Sequence, residues 1–351
     1  MALSVLFVVG LVAAVFVGVN VGGSSTGVAF GPATGSGALS MRAASMLMAV
    51  FVFAGGLAVG PAVVDTLGTE FVPAEYFTLG ASIGVLLFIG VGILVGNLAR
   101  VSVGTSQTAV GAVVGMGAAL GVLDWSVVGE VVTWWVVSSI GAFWVAAVVG
   151  RYWYDRIAAV LDFQSPGRRR LGQALTVGVG CYMAFSAGAS NVANAVAPLV
   201  GSGQLGMTPG VLVGAAAIGA GAFVLGPRTM ETVGNDITDL PVEAALVVEV
   251  VAATVITGLS WAGIPASLAI TATMCVIGLG WGRASRRIPL EETLSGRELD
   301  ADERAAWEAD TLDLYDKRVT KRIVSTWLAT PVIAGVLAFV VFAVADHAGM
   351  V

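Results

Sequence analysis

Serine and asparagine recur at two places where the chain is otherwise apolar. Residues 22–39 read GGSSTGVAFGPATGSGAL and offer Ser24, Ser25, Thr26 and Ser36. Residues 188–205 read GASNVANAVAPLVGSGQL and offer Ser190, Asn191, Asn194 and Ser202. All are neutral donors or acceptors, and neither stretch holds a Lys or Arg. An anion can still bind in such a place. Helix N-termini carry unpaired N–H groups and a partial positive charge, and glycine lets backbone approach closely. The expected arrangement is four re-entrant half-helices, two per stretch, aimed at one point, with a small tetrahedral oxyanion as ligand. Without a fixed cation the site would be weak and releasable. The residues argue against an enzyme acting on lipids or phosphate esters. There is no interior His, no clustered carboxylates and no paired nucleophile and base. No cofactor is expected.

The two stretches are copies. Gly35 and Gly201 set an offset of 166 residues, at which Pro32 matches Pro198 and Ser36 matches Ser202. The register continues without a gap through GPAVVDTLGTE (60–70) and GPRTMETVGND (226–236). Each polar segment is too short to cross a hydrocarbon core of ~30 Å. Irregular backbone survives at membrane depth only when buried in protein or lining a wet cavity. Two such segments at matching places in two repeats point to a secondary transporter's binding site. The alternative is close helix packing through small residues.

Composition sets the class. Of 351 residues, 57% are hydrophobic and 11% charged, which implies an all-α polytopic membrane protein. The two cysteines lie in expected spans and suggest neither a disulfide framework nor a metal site. Apolar runs fall near 2–20, 40–60, 77–98, 103–122 and 126–149, then near 172–188, 208–226, 241–258, 262–281 and 324–345. The reading is therefore about ten spanning helices plus two re-entrant hairpins. Residues 1–150 form a first repeat, 151–171 a basic cytoplasmic connector, and 172–351 a second repeat with a cytoplasmic helical insert at 283–322. Five crossings per repeat invert the second relative to the first. With both termini outside a plasma membrane, all 17 Lys and Arg fall inside, as the positive-inside rule requires.

For a coupling cation, Glu249 is the one acid deep in an expected span. Intramembrane carboxylates are costly and by default functional; the structural alternative is a protonated, hydrogen-bonded core acid. A third pair of segments, SVGTSQTAVGAVVG (102–115) and GIPASLAITATMCVIG (263–278), also reads as re-entrant or broken. Thr105, Ser106, Gln107, Ser267 and Thr271 there are further coupling-ion candidates, or bond back to their own helices.

At these residues the chain resembles the inorganic phosphate transporter (PiT) family, whose halves carry a GANDVANAFGTSVGSGALT-like motif, a TVGxxIT-like run and PVSTTHAIVGAIIG. The counterparts here are GASNVANAVAPLVGSG and ETVGNDITDL in the second half, and GVAFGPATGSGALS and SVGTSQTAVGAVVG in the first. The resemblance covers nearly all of the chain outside 283–322. It implies transport of inorganic phosphate coupled to Na⁺ or H⁺, by a homodimer in a lipid bilayer. The departures are informative. The family's Asn-Asp pair falls on Ser24-Ser25 and on Ser190-Asn191, so both aspartates are absent. Its later Asn is Asn194 in the second copy and Val28 in the first. Its acid after the first hairpin falls on Val52, and its third-motif His on Gln107. Hydrogen phosphate can donate a proton to a carboxylate, whereas sulfate only accepts and would be repelled. A site whose acids have become Ser and Asn suits sulfate at least as well, as in the sulfate permease-like branch of the family; inorganic phosphate stands first by the resemblance, with H⁺-coupled sulfate transport nearly equal. An uncoupled anion channel on the same scaffold remains a further reading.

Overall fold

The computed structural model describes residues 4–98, 103–161, 167–236, 241–287 and 317–349, with side chains omitted at 232–236, 287 and 317–324. Every described element is helical. In order they are α1 (Val5–Gly35), α2 (Met41–Ala58), α3 (Gly60–Asp65), α4 (Leu79–Leu98), α5 (Thr105–Ala119), α6 (Trp125–Val148), α7 (Tyr154–Leu161), α8 (Arg169–Gly201), α9 (Met207–Val224), α10 (Gly226–Asp236), α11 (Val242–Trp261), α12 (Leu268–Ala284) and α13 (Lys317–His347). Helix starts are set by short polar caps. Ser4 accepts from the Phe7 N–H, Ser40 from Ala43, Asp124 from Ser126 and Val127, and Ser267 from Ile270. Each cap satisfies donors that the first turn leaves unpaired.

Seven of these helices are long and apolar enough to cross a membrane. Three of the ten expected crossings are not among them. Those near 103–122 and 262–281 are α5 and α12, of 15 and 17 residues, and a helix of that length spans only about 22–26 Å. The run near 172–188 is part of the 33-residue α8. Most of the expected insert at 283–322 lies outside the described residues. The connector is tied to the end of α12. Asp155 pairs with Arg286 at 2.5 Å, Arg283 stacks on the Tyr154 ring 4.5 Å away, and Arg151 donates to the Ser285 carbonyl.

The polar stretches expected to be irregular re-entrant hairpins are instead helical. Residues 22–35 complete α1, and 188–201 complete α8. The reason lies in their glycines. A Cβ on Gly22 would fall 2.0 Å from the Ile218 carbonyl oxygen, and one on Gly188 would fall 2.3 Å from that of Val52. The glycines are spent on helix contact, so the backbone stays hydrogen-bonded within its own helix. Each helix ends at a glycine in the left-handed region, Gly37 and Gly203, both at φ 69°.

The contacts between the halves are reciprocal. At the offset of 166, Gly22 matches Gly188 and Val52 matches Ile218, so one contact is made twice in opposite senses. Gly55 against the Phe185 carbonyl is answered by Gly221 against that of Val19, at 1.8 and 2.1 Å for a built Cβ. Later elements are exchanged too: α5 packs on α13, and α12 on α6.

Candidate functional site

Four elements converge on one buried polar cluster. α1 brings Ser24 and Ser25, α8 brings Ser190, Asn191 and Asn194, and α5 brings Thr105 and Ser106 at its first turn. The extended residues before α12 bring Ala266 and Ser267. All of these side chains are under one-tenth exposed. Asn191 is the hub. Its Oδ1 accepts from Thr105 Oγ1 at 3.0 Å and from Asn194 Nδ2 at 3.3 Å, and lies 3.4 Å from Ser106 Oγ. Its Nδ2 donates to Ser25 Oγ at 3.2 Å. Ser106 and Ser190 each donate to the Ala266 carbonyl, at 3.0 and 2.7 Å. The two copies again match: Ser24 Oγ accepts from the Val103 N–H at 3.3 Å, and Ser190 Oγ from the Ala266 N–H at 3.4 Å.

A cavity of about 10 Å³ lies among Ser24, Ser25, Thr105, Asn191 and Ser267. That is room for about one water, so the cluster is closed on itself in this conformation. α5 begins at the cavity with no side-chain cap, leaving its first-turn N–H groups toward the polar cluster. The helix ends that reach the cluster thus belong to the third motif pair, α5 and α12. Four half-helices built from the two copies, as expected from the sequence, are not what the fold contains.

Other expected residues fall elsewhere. Ser36 and Ser202 cap the C-terminal ends of α1 and α8 and donate to their own helices, at the Ala33 and Leu199 carbonyls. Twelve helical residues separate each from Ser24 or Ser190, about 18 Å. Thr26 donates back to the Gly22 carbonyl at 2.6 Å and packs against Gly226. Ser267 lines the cavity but its Oγ caps α12. Gln107 sits beside the cluster against Gly104, and among the described residues its buried Oε1 has no hydrogen-bond partner; nor has the Oδ1 of Asn194.

Glu249 lies apart from the cluster, buried on α11, a helix that packs against α8 and α12. It is 4% exposed, and among the described residues neither carboxyl oxygen has a hydrogen-bond partner. One turn on, the Ala253 carbonyl accepts from Ser186 at 3.1 Å, and Ser186 is one turn before Ser190 on α8. Two helical turns and one hydrogen bond therefore join Glu249 to the cluster. Among the described residues no group of three or more His, Cys, Asp or Glu could hold a metal ion.

Sequence reading missed the backbone groups of Val103 and Ala266, and Trp135, whose Nε1 donates to the Pro265 carbonyl at 2.6 Å. Pro265 before a Ser cap signals an extended run. Nothing distinguishes Trp135 from the chain's other eight tryptophans.

A sequence model described as the phosphate transporter family matches residues 21–160 and 155–338. The sulfate permease CysP of Bacillus subtilis is 32% identical over 269 residues, covering 76% of this chain and 75% of its own. Sodium-dependent phosphate transporter 1 of Rattus norvegicus is 24% identical over 197 residues, 53% of this chain and 25% of its own. A solved structure described as the sodium-dependent phosphate transporter has the same fold, with a TM-score of 0.74 at 18% identity, covering 98% of this chain and all of that one.

Proposed function

The chain belongs to the phosphate transporter family and is a multi-pass membrane protein, and from that premise we propose that it is a secondary-active carrier of a tetrahedral oxyanion. Sulfate is the substrate its site suits best. The observation that carries this is the cluster itself: buried hydroxyls, amides and two helix starts, with no carboxylate among the described residues that line the cavity. A fully ionised oxyanion needs donors and is repelled by carboxylate. The similarity to a sulfate permease supports the same choice. Inorganic phosphate is the second reading. The unpaired Asn194 Oδ1 favours it, because hydrogen phosphate has a proton to donate and sulfate has none.

Glu249 carries the coupling cation in this reading. A carboxyl buried without an ionic partner is neutral only with a proton or cation on it. Na⁺ needs several oxygens around it and a proton needs one. Among the described residues neither Glu249 oxygen has a hydrogen-bond partner, and a proton needs no ligand beyond the carboxyl itself, so the proton is the cation this reading assigns to it. The reciprocal contacts between halves support an inverted repeat with alternating access at the central cluster; the reading with both termini outside a plasma membrane rests on the Lys and Arg residues, which it puts inside.

The test is uptake into liposomes by the double variant Ser190→Ala, Asn191→Ala. Uptake is expected to be abolished while the protein remains monodisperse and helical. Undiminished uptake would overturn the site assignment.

A further inference from the structure

A second and larger cavity, of about 310 Å³, opens beside the cluster. Its lining includes Asp65, Thr66, Glu70, Glu130 and the turn from Trp261 to Ile264. Ser267 and Leu268, three residues further on, line the small cavity at the cluster. Only Pro265 and Ala266 separate the two along the chain. Both of their carbonyls are held. Trp135 Nε1 donates to Pro265 at 2.6 Å. Ser106 and Ser190 donate to Ala266. Gly263, at φ 77°, lies at the start of this strap, where a residue with a Cβ would be strained. A Cβ there would also meet Thr66 Oγ1 at 2.9 Å.

These contacts have a chemical consequence. A hydroxyl has one proton to give. Ser106 and Ser190 give theirs to a backbone carbonyl, an oxygen with partial negative charge placed where an oxyanion would use the same donors. We infer that residues 263–267 are the gate between the open chamber and the oxyanion site, that the Ala266 carbonyl holds the serine donors until substrate displaces it, and that Trp135 is the positioning residue that latches this gate shut. The inference rests on the oxyanion reading above for the identity of what displaces the carbonyl. The gate itself rests on geometry alone. Substrate binding and opening are then one event, because the anion competes with the strap for the same two protons. The acids at the chamber's rim raise the local concentration of cations; those cations offset the repulsion that an entering oxyanion meets from the carboxylates, and they suit a carrier that takes its cation from this side.

The test removes one N–H. Trp135→Phe keeps an aromatic ring and loses the donor. Trp135→benzothienylalanine keeps the shape of the indole and loses only the N–H, which guards against a folding defect. Each is placed in a chain whose Cys181 and Cys275 are replaced by Ala and whose Ala269, at the small cavity, is replaced by Cys. A cationic, membrane-impermeant thiosulfonate then reports access through the acid-lined chamber. Losing one hydrogen bond is expected to speed labelling about fivefold. It should also lower the KM for sulfate uptake by a similar factor, because more of the protein is open before substrate arrives. Labelling and KM unchanged in both folded variants would overturn the gate. If the unaltered protein moves neither sulfate nor phosphate, the transport reading fails, while the labelling result still decides whether the strap is a latched gate.

Discussion

At the scale of single residues, function turns on which polar groups face one another and which face their own helix. Asn191 meets Thr105, Asn194 and Ser25, whereas Ser36 and Ser202 meet only the last turns of α1 and α8. Ser36→Ala with Ser202→Ala is therefore expected to leave the KM for uptake unchanged in liposomes, and Asn191→Ala to raise it by at least tenfold. A rise with the two cap serines would return them to the site. Glu249 makes a separate prediction. Glu249→Gln is expected to abolish accumulation driven by a proton gradient and to keep exchange of labelled for unlabelled substrate, since the binding cluster is untouched. Gradient-driven accumulation by that variant would remove Glu249 from coupling. The motif positions were legible in the sequence because they lie in a duplicated family motif, in which Asn194 is kept and Ser190-Asn191 stand in place of the Asn-Asp pair. Their partners were not, because Thr105 and Ala266 lie 86 and 75 residues from Asn191 in the chain, and only packing brings them together.

At the scale of elements, glycine decides how near two helices lie. Gly22→Ala would drive a methyl group to 2.0 Å from the Ile218 carbonyl, and Gly188→Ala repeats the clash in the other half. Each is expected to cost about 1–3 kcal/mol, read as a lower thermal midpoint in detergent. Gly141→Ala, on a face of α6 where a Cβ meets nothing within 4 Å, should instead stabilise by about 1 kcal/mol. Equal effects at the two kinds of position would refute close packing as the role of Gly22 and Gly188. The same glycines explain why the sequence misled about local structure. A run rich in Gly and Ser looks irregular by propensity, but in a membrane protein small residues are also what close helix contact requires. The broken backbone does exist, one motif later, at residues 103–104 and 262–267, where Pro265 was the readable sign.

At the scale of the whole molecule, duplication was legible from the offset of 166 residues alone, and the helix bounds keep it: α2 and α9 run 41–58 and 207–224. What the offset could not tell is that the halves interlock, α5 on α13 and α12 on α6, because side-by-side and exchanged halves have the same sequence. Among the described residues, interlocked halves, a closed central cluster, a chamber beside it and a buried acid off to the side are the parts that the proposed coupled carrier would use. The most direct measurement is uptake of labelled sulfate and phosphate, at equal concentration, by purified protein in liposomes under an imposed proton gradient or an imposed Na⁺ gradient. The account predicts that sulfate accumulates above its electrochemical balance when protons drive it and that Na⁺ does not replace them. Phosphate accumulation driven by Na⁺, with no sulfate uptake, would contradict it.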